Sequence, residues 1–318
     1  MFPTTPISRI TTSSYRQPAS LFSPAVRNAA SPLDLVKLRP LMELSSGRVE
    51  TTIALIDGPI ASNHKDLSNT NIREIPGTLA GTCARADSVA CMHGTFVAGI
   101  LCATRGSAAP AICPKCTLLV RPIFAEGTSA NGHMPSATPQ ELATALSDCI
   151  EGGAHVINLS AALAQPSSKG ERKLEEVLDY AARRGVIVVV AAGNQGRVGS
   201  TALTRHPWVI PVIACDLRGR PLGYSNLGNS IGRRGLSAPG DGVTSLGVNG
   251  KAPTFGGTSA AAPFVTGTIT LLLSVFPKAT AAAVKSAVTR AGFQRSPTVV
   301  PPLLDAWAAY QDLIKRAG

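Results

Sequence analysis

Val186-Ile-Val-Val-Val-Ala-Ala192 is an unbroken apolar run, and Gly193-Asn194 follows it at once. A run of this length closed by a turn pair reads as a strand buried on both faces. The stretch before it, Glu171 to Arg184, spaces its apolar residues helically among charges, so an amphipathic helix leads into the strand. The same alternation extends in both directions. Ile53 to Ile56, Leu118 to Val120, Val156 to Leu159 and Val209 to Ala214 read as further buried strands. Phe96 to Ala103, Pro139 to Gly152, Ser259 to Phe276 and Ala279 to Ala291 read as helices between or after them. Apolar strands alternating with helices predict an α/β fold, a three-layer sandwich with a mostly parallel central sheet. In such sheets chemistry sits beyond the carboxyl ends of the strands. That directs attention to Asp57, which ends the first strand, and to the Gly193-Asn194 turn.

Composition narrows the class. Hydrophobic residues are 44% of the 318 and charged residues 15%, enough for a large core and too apolar for disorder. Aromatics are only 4%, so Val, Ile, Leu and Ala must fill that core. The net charge of +11 is spread over scattered Arg residues, the tightest pairs being Arg183-Arg184 and Arg233-Arg234. Without a basic run or interleaved aromatics, no nucleic-acid partner is expected; a general bias toward Arg, or attraction to acidic peptides, accounts for the charge. There is no run of 18 apolar residues and no signal peptide, so no membrane span is expected and the placement expected is cytoplasmic. No 20–50-residue internal repeat is visible.

Seven Cys cannot all pair within one chain. Cys113-Pro-Lys-Cys116 has the spacing of a redox or zinc half-site, with Cys83 and Cys91 the nearest further ligands; unlinked or locally bridged thiols fit the same residues. Residues 1–33 hold no Asp or Glu, three Arg and ten Ser or Thr. Residues 1–48 therefore read as a flexible tail, within which Leu33, Leu35, Val36, Leu38 and Leu41 pattern a short docking helix that Pro40 interrupts. An organelle transit peptide shares that composition. Residues 49–318 form the main domain.

Four residues could make an acyl-transfer site, which needs a nucleophile, a base, a group orienting the base and oxyanion donors. Ser259 sits in Phe255-Gly-Gly-Thr-Ser-Ala-Ala-Ala-Pro263, where glycines allow a tight approach and small residues open a helix. Taken singly, Thr258-Ser259 could merely cap that helix. His93 sits in Met92-His-Gly-Thr-Phe-Val-Ala-Gly99, as a base held at a helix start. Asp57, in Ile56-Asp-Gly-Pro59, could hold the imidazole or simply make a turn. Asn194, in Ala191-Ala-Gly-Asn-Gln-Gly196, could donate its amide to an oxyanion or end a strand.

Taken together, these strings resemble the subtilisin-like serine proteases. Asp57-Gly58 with His64-Lys-Asp-Leu67, the run His93 to Ile100, Ala191 to Gly196, Ser237 to Gly240 and Gly257 to Pro263 fall in that family's order. The resemblance spans about Thr51 to Ala291. It implies a serine endopeptidase with Asp57, His93 and Ser259 as catalytic triad and Asn194 beside the oxyanion. It also implies a peptide or protein substrate added as a strand along Ser160-Ala161-Ala162, near Gly193 and residues around Cys91. Asp57-Gly58-Pro59 and Arg121 to Gly127 further resemble the cyanobactin-type proteases that mature ribosomal peptides, which suggests a precursor with an acidic leader. A silent peptide-binding module and a general degradative protease are the competing readings.

The departures from the family are specific. A Ser or Thr usual after the catalytic Asp is Gly58 here, so one hydroxyl near the carboxylate is missing. Ala260 replaces a common Met after the nucleophile, and Ala161-Ala162 replace glycine in the substrate strand, which predicts a small side chain before the scissile bond. No folded prodomain, no metal and no other cofactor is expected; the Gly106 to Cys116 loop has no acidic residue for calcium.

Overall fold

The computed structural model describes residues 10–11, 31–127, 136–163, 172–290 and 298–317. In chain order the strands are β1 (Ile10–Thr11), β2 (Thr52–Asp57), β3 (Asn71–Glu74), β4 (Thr117–Pro122), β5 (Ser136–Ala137), β6 (Val156–Leu159), β7 (Ala162–Leu163), β8 (Ile187–Ala191), β9 (Val209–Cys215) and β10 (Leu236–Pro239). The helices are α1 (Pro32–Leu35), α2 (Arg39–Leu44), α3 (Val89–Cys102), α4 (Pro139–Glu151), α5 (Arg172–Arg184), α6 (Ala202–Arg205), α7 (Asn229–Arg234), α8 (Thr258–Val275), α9 (Ala281–Arg290) and α10 (Ala306–Ala317).

Seven strands form one sheet in the order β10-β9-β8-β6-β2-β4-β3, every pair parallel. The expected three-layer sandwich is what forms. Residue-by-residue alternation sends side chains to the two faces. In β2, Ile53 and Leu55 join the core under α3 and α8, while Ala54 and Ile56 join the core under α4 and α5. In β8, Ile187 and Val189 face the first core, and Val188 and Val190 the second. Burial on both faces is why these strands carry no polar alternation. After β2 the chain moves to β3 and β4 on one side, then crosses to β6 on the other. A crevice therefore opens at the carboxyl ends of β2 and β6, where Asp57 and Ser160 lie.

Several elements were not patterned in the sequence. β3 is an edge strand with an exposed, mixed face, and β10 is the Ser237-Ala-Pro segment, too short and proline-ended to read as a strand. Around Pro40 the structure has two helices: Lys37 turns with φ +50°, and Pro40 sits in the first turn of α2, where its missing N–H costs nothing. Val36, Leu38 and Leu41 are fully buried in the core shared with α8. Apart from β1, the chain before residue 31 lies outside the described residues. α8 is long and apolar enough to cross a membrane by composition, but 89% of it is buried inside the protein, so it is the core helix.

The cysteines separate. Cys83 and Cys91 are bridged to each other, and the other five are free and buried. Cys113 and Cys116 therefore do not join Cys83 and Cys91 in a zinc site; Cys116 instead lies by Ser274 on the core helix. Burial raises the Cys215 thiol to about 11 and lifts Cys113 and Cys149 well above the ordinary thiol range, so these stay protonated and inert near neutrality. Thiol titration tests the bridge. Protein isolated without reductant should give five thiols after unfolding if the bridge stands, and seven if it does not. The folded protein should give almost none quickly.

Candidate active site

Asp57 and His93 meet. Asp57 is fully buried and its Oδ1 lies 2.7 Å from His93 Nδ1 and accepts the Gly58 N–H at 2.7 Å. A carboxylate at that distance holds the proton on Nδ1 and leaves Nε2 as the basic nitrogen. His93 Nε2 and Asp57 Oδ2 are buried without a hydrogen-bond partner among the described residues. The second of these follows from the hydroxyl that Gly58 lacks.

Backbone packing explains why that hydroxyl is missing. A Cβ on Gly58 would stand 2.2 Å from the Ala90 carbonyl oxygen, and one on Gly94 would stand 2.5 Å from that of Pro59. Two glycines thus let α3 press directly on the end of β2, bringing His93 to Asp57. The helix begins four residues before His93, capped by the Ser88 hydroxyl on the Cys91 N–H, so His93 sits a turn inside the helix rather than at its start. Gly58→Ser should therefore not restore the family's hydrogen bond. It is expected to cost about 1–3 kcal/mol of stability from overpacking and to lower turnover at least ~10-fold, read by thermal melting and peptide hydrolysis. A stable, more active Gly58→Ser variant would refute this packing argument.

Ser259 is the second residue of α8, reached through Gly257 at φ +118°, a conformation only glycine holds without strain. Pro263 has no N–H, so it cannot donate to the Ser259 carbonyl four residues back. Ser160 Oγ donates to that carbonyl instead, at 3.0 Å. Asn158 Nδ2 donates to Ser160 Oγ at 2.8 Å, and Thr266 Oγ1 donates to Asn158 Oδ1 at 2.7 Å. A fully buried polar chain thus ties the core helix, β6 and the Ser259 backbone into one unit. On the other side, Phe96, three residues past His93, packs its ring on Phe255 with centroids 4.8 Å apart. This holds the two catalytic segments against each other.

Asn194 caps α8 from outside. The N-cap residue, Gly257, has no side chain, and Asn194 Oδ1 accepts the Thr258 N–H at 2.9 Å. Gly193 N–H donates to Thr258 Oγ1 at 3.1 Å, locking the same turn. Asn226 completes the brace: its Oδ1 accepts from Gln195 and Arg197 N–H, and its Nδ2 donates to the Ala192 carbonyl.

Ser160, Ala161 and Ala162 are buried and follow β6 directly. A Cβ on Gly193, at φ +103°, would come within 3.2 Å of the Ala162 methyl, so the turn and the substrate strand face each other closely. β7, beginning at Ala162, already accepts an antiparallel strand: β1 lies between β7 and β5, with Thr11 opposite Ala162 on one side and Ser136 on the other. Among the described residues, the one cluster with metal-ligand spacing is Cys83, Cys91 and Glu126. Its sulfurs are bridged, and Glu126 accepts the Ala84 and Arg85 N–H groups, so no free donor set exists there.

Sequence reading did not single out Asn158, Thr266 or Asn226. Asn158 left a signal, an amide inside an otherwise apolar strand. Asn226 and Thr266 left none, because only folding brings them to the site.

Comparison with known proteins agrees with this geometry. Residues 49–300 match the family model described as the subtilase family. The chain is 31% identical over 189 residues to a thermostable alkaline protease of Halalkalibacterium halodurans, covering 59% of this chain and 48% of that protein. The match thus spans about half the length of that relative. The protease domain of PatA, solved as a point mutant, superposes with a TM-score of 0.77 at 26% identity over 86% of this chain and 98% of that one. The prenylagaramide maturation protease PagA superposes with a TM-score of 0.75 at 25% identity, over 87% and 98%. That match, over a parallel sheet with Asp57 at the end of β2, His93 pressed against it and Ser259 opening the core helix, places this chain in the subtilase family.

Proposed function

We propose that the protein is a serine endopeptidase that cleaves peptide bonds through an acyl-enzyme on Ser259. The observation that carries this is the Asp57–His93 hydrogen bond at 2.7 Å, with the basic Nε2 buried and without a partner among the described residues. His93 Nε2 takes the Ser259 hydroxyl proton as Oγ attacks the carbonyl, and returns it to the departing amine. Asp57 holds the ring and stabilises the imidazolium. The Asn194 NH2 and the Ser259 N–H receive the oxyanion. Water then attacks the ester with His93 as base. Substrate lies antiparallel along Ser160 to Ala162, a reading supported by the antiparallel pairing of β1 with the adjoining Ala162 and Leu163.

The likeness to PagA, a prenylagaramide maturation protease, and to PatA supports a role in maturing a peptide precursor. The close approach of Gly193 to the Ala162 methyl leaves room for a slender residue before the scissile bond. Digestion of a peptide library with mass-spectrometric mapping tests both points. The expected profile is dominated by small or unbranched residues at that position, in few sequence contexts. A profile led by large aromatics would overturn the pocket argument, and equal cleavage of unstructured casein would favour a degradative role.

A further inference from the structure

We propose that a basic pocket at the far end of the sheet binds the carboxylates of an acidic stretch in the peptide substrate, an inference that rests on the peptidase reading above. The pocket is about 280 Å³ and is lined by Arg233, Arg234, Lys285 and Arg290 together with Trp208 and Ser286. Two separate elements build it. α7 ends in Arg233-Arg234, and α9 presents Lys285, Ser286 and Arg290 on its outer face while Val284, Ala287 and Val288 enter the core.

The arginines are held apart from described carboxylates. Arg234 Nη2 is braced on the Arg205 carbonyl at 2.6 Å, and its Nε is buried without a hydrogen-bond partner among the described residues. Lys285 Nζ lies on the Pro207 carbonyl at 3.0 Å and over the Trp208 ring at 5.3 Å. Arg233, Arg234 and Arg290 form no ion pair with any described residue, although twelve such pairs occur elsewhere among them. Burial and the neighbouring Arg233 charge both lower the Arg234 pKa, so the site gains from an anion. The occupant is a peptide side chain rather than a nucleobase, because Lys285 already covers the Trp208 ring. Guanidinium forks suit carboxylates geometrically.

The position sets a distance. Trp208 immediately precedes β9, and Arg234 nearly so β10, so the pocket lies at the amino ends of β9 and β10, opposite the edge of the parallel sheet where Asp57, Ser160 and Asn194 stand at the carboxyl ends of β2, β6 and β8. A strand of that length spans roughly 20 Å. At about 3.3 Å per extended residue, the acidic stretch must stand at least about seven residues from the scissile bond.

The test uses fluorescence-labelled peptides that share one cleavage site and carry four Glu either three or twelve residues away, or none. With the full chain bearing Ser259→Ala, anisotropy should show the distal-Glu peptide binding about five- to twentyfold tighter than the others. Arg233→Gln/Arg290→Gln, both exposed changes, should erase that difference, as should raising salt several-fold. In the otherwise native enzyme the double variant should raise KM for the distal-Glu peptide alone and leave kcat unchanged. Equal binding of all three peptides, a distal-Glu advantage that survives in the double variant, or displacement by millimolar inorganic phosphate but not by glutamate peptides would each overturn the proposal. Absence of hydrolysis of every peptide, with distal-Glu binding intact, would instead count against the peptidase reading.

Discussion

In the Ser259→Ala variant, peptide hydrolysis is expected to fall roughly 10^4- to 10^6-fold in kcat. In the proposed mechanism Ser259 supplies the one atom that becomes covalently bonded to substrate. Its backbone carbonyl is held by Ser160 Oγ and its segment by Asn194, so removing one hydroxyl leaves the architecture intact. Ala is also a better helix former than Ser at this position. The variant should therefore melt within a few degrees of the native chain and still bind peptide. A serine-directed fluorophosphonate should label the native protein and not the variant. If the folded native protein took no label, the chain would be a peptide-binding module that keeps the groove. If Ser259→Ala kept its turnover, another nucleophile would have to be sought.

Asp57→Asn is expected to lower kcat by about 10^3- to 10^4-fold at neutral pH with little change in KM. The carboxylate accepts from two donors on one oxygen, His93 Nδ1 and Gly58 N–H. A neutral Asn no longer stabilises the imidazolium, and an amide turned with its NH2 toward His93 cannot accept the Nδ1 proton. The imidazole then carries its proton on Nε2, and the nitrogen that must accept from Ser259 no longer can. With substrate along Ser160 to Ala162, as proposed, and not against Asp57, binding is spared. The chain lacks the usual hydroxyl beside this carboxylate, and Oδ2 has no partner among the described residues, so the whole orienting function rests on Oδ1. A loss below tenfold would mean that α3 alone orients the ring.

Much of the fold was legible because buried parallel strands must be apolar throughout. Val186 to Ala192, Ile53 to Ile56 and Val209 to Ala214 could hardly be read otherwise. β3 and β10 were missed because an edge strand has one solvated face and a Ser-Ala-Pro strand has no apolar run. The helix carrying His93 was read as starting near the histidine, since Val89 to Met92 show no charge pattern; Ser88 caps it earlier.

Three things the sequence determined by itself. Local backbone conformation, with φ +118° just before α8, demanded Gly257 ahead of Ser259. The order of those motifs assigned the family. Pro263 dictated that the Ser259 carbonyl must find a partner outside its own helix. Which partner it finds was decided only by tertiary structure, as were the Thr266–Asn158–Ser160 chain, the Asn226 brace, the Cys83–Cys91 bridge and the meeting of Arg233-Arg234 with α9. The reason is physical. A backbone conformation or a missing N–H is a property of one residue and its neighbours, written locally. A buried hydrogen bond between residues 99 or 108 positions apart exists only once the sheet and its helices have closed.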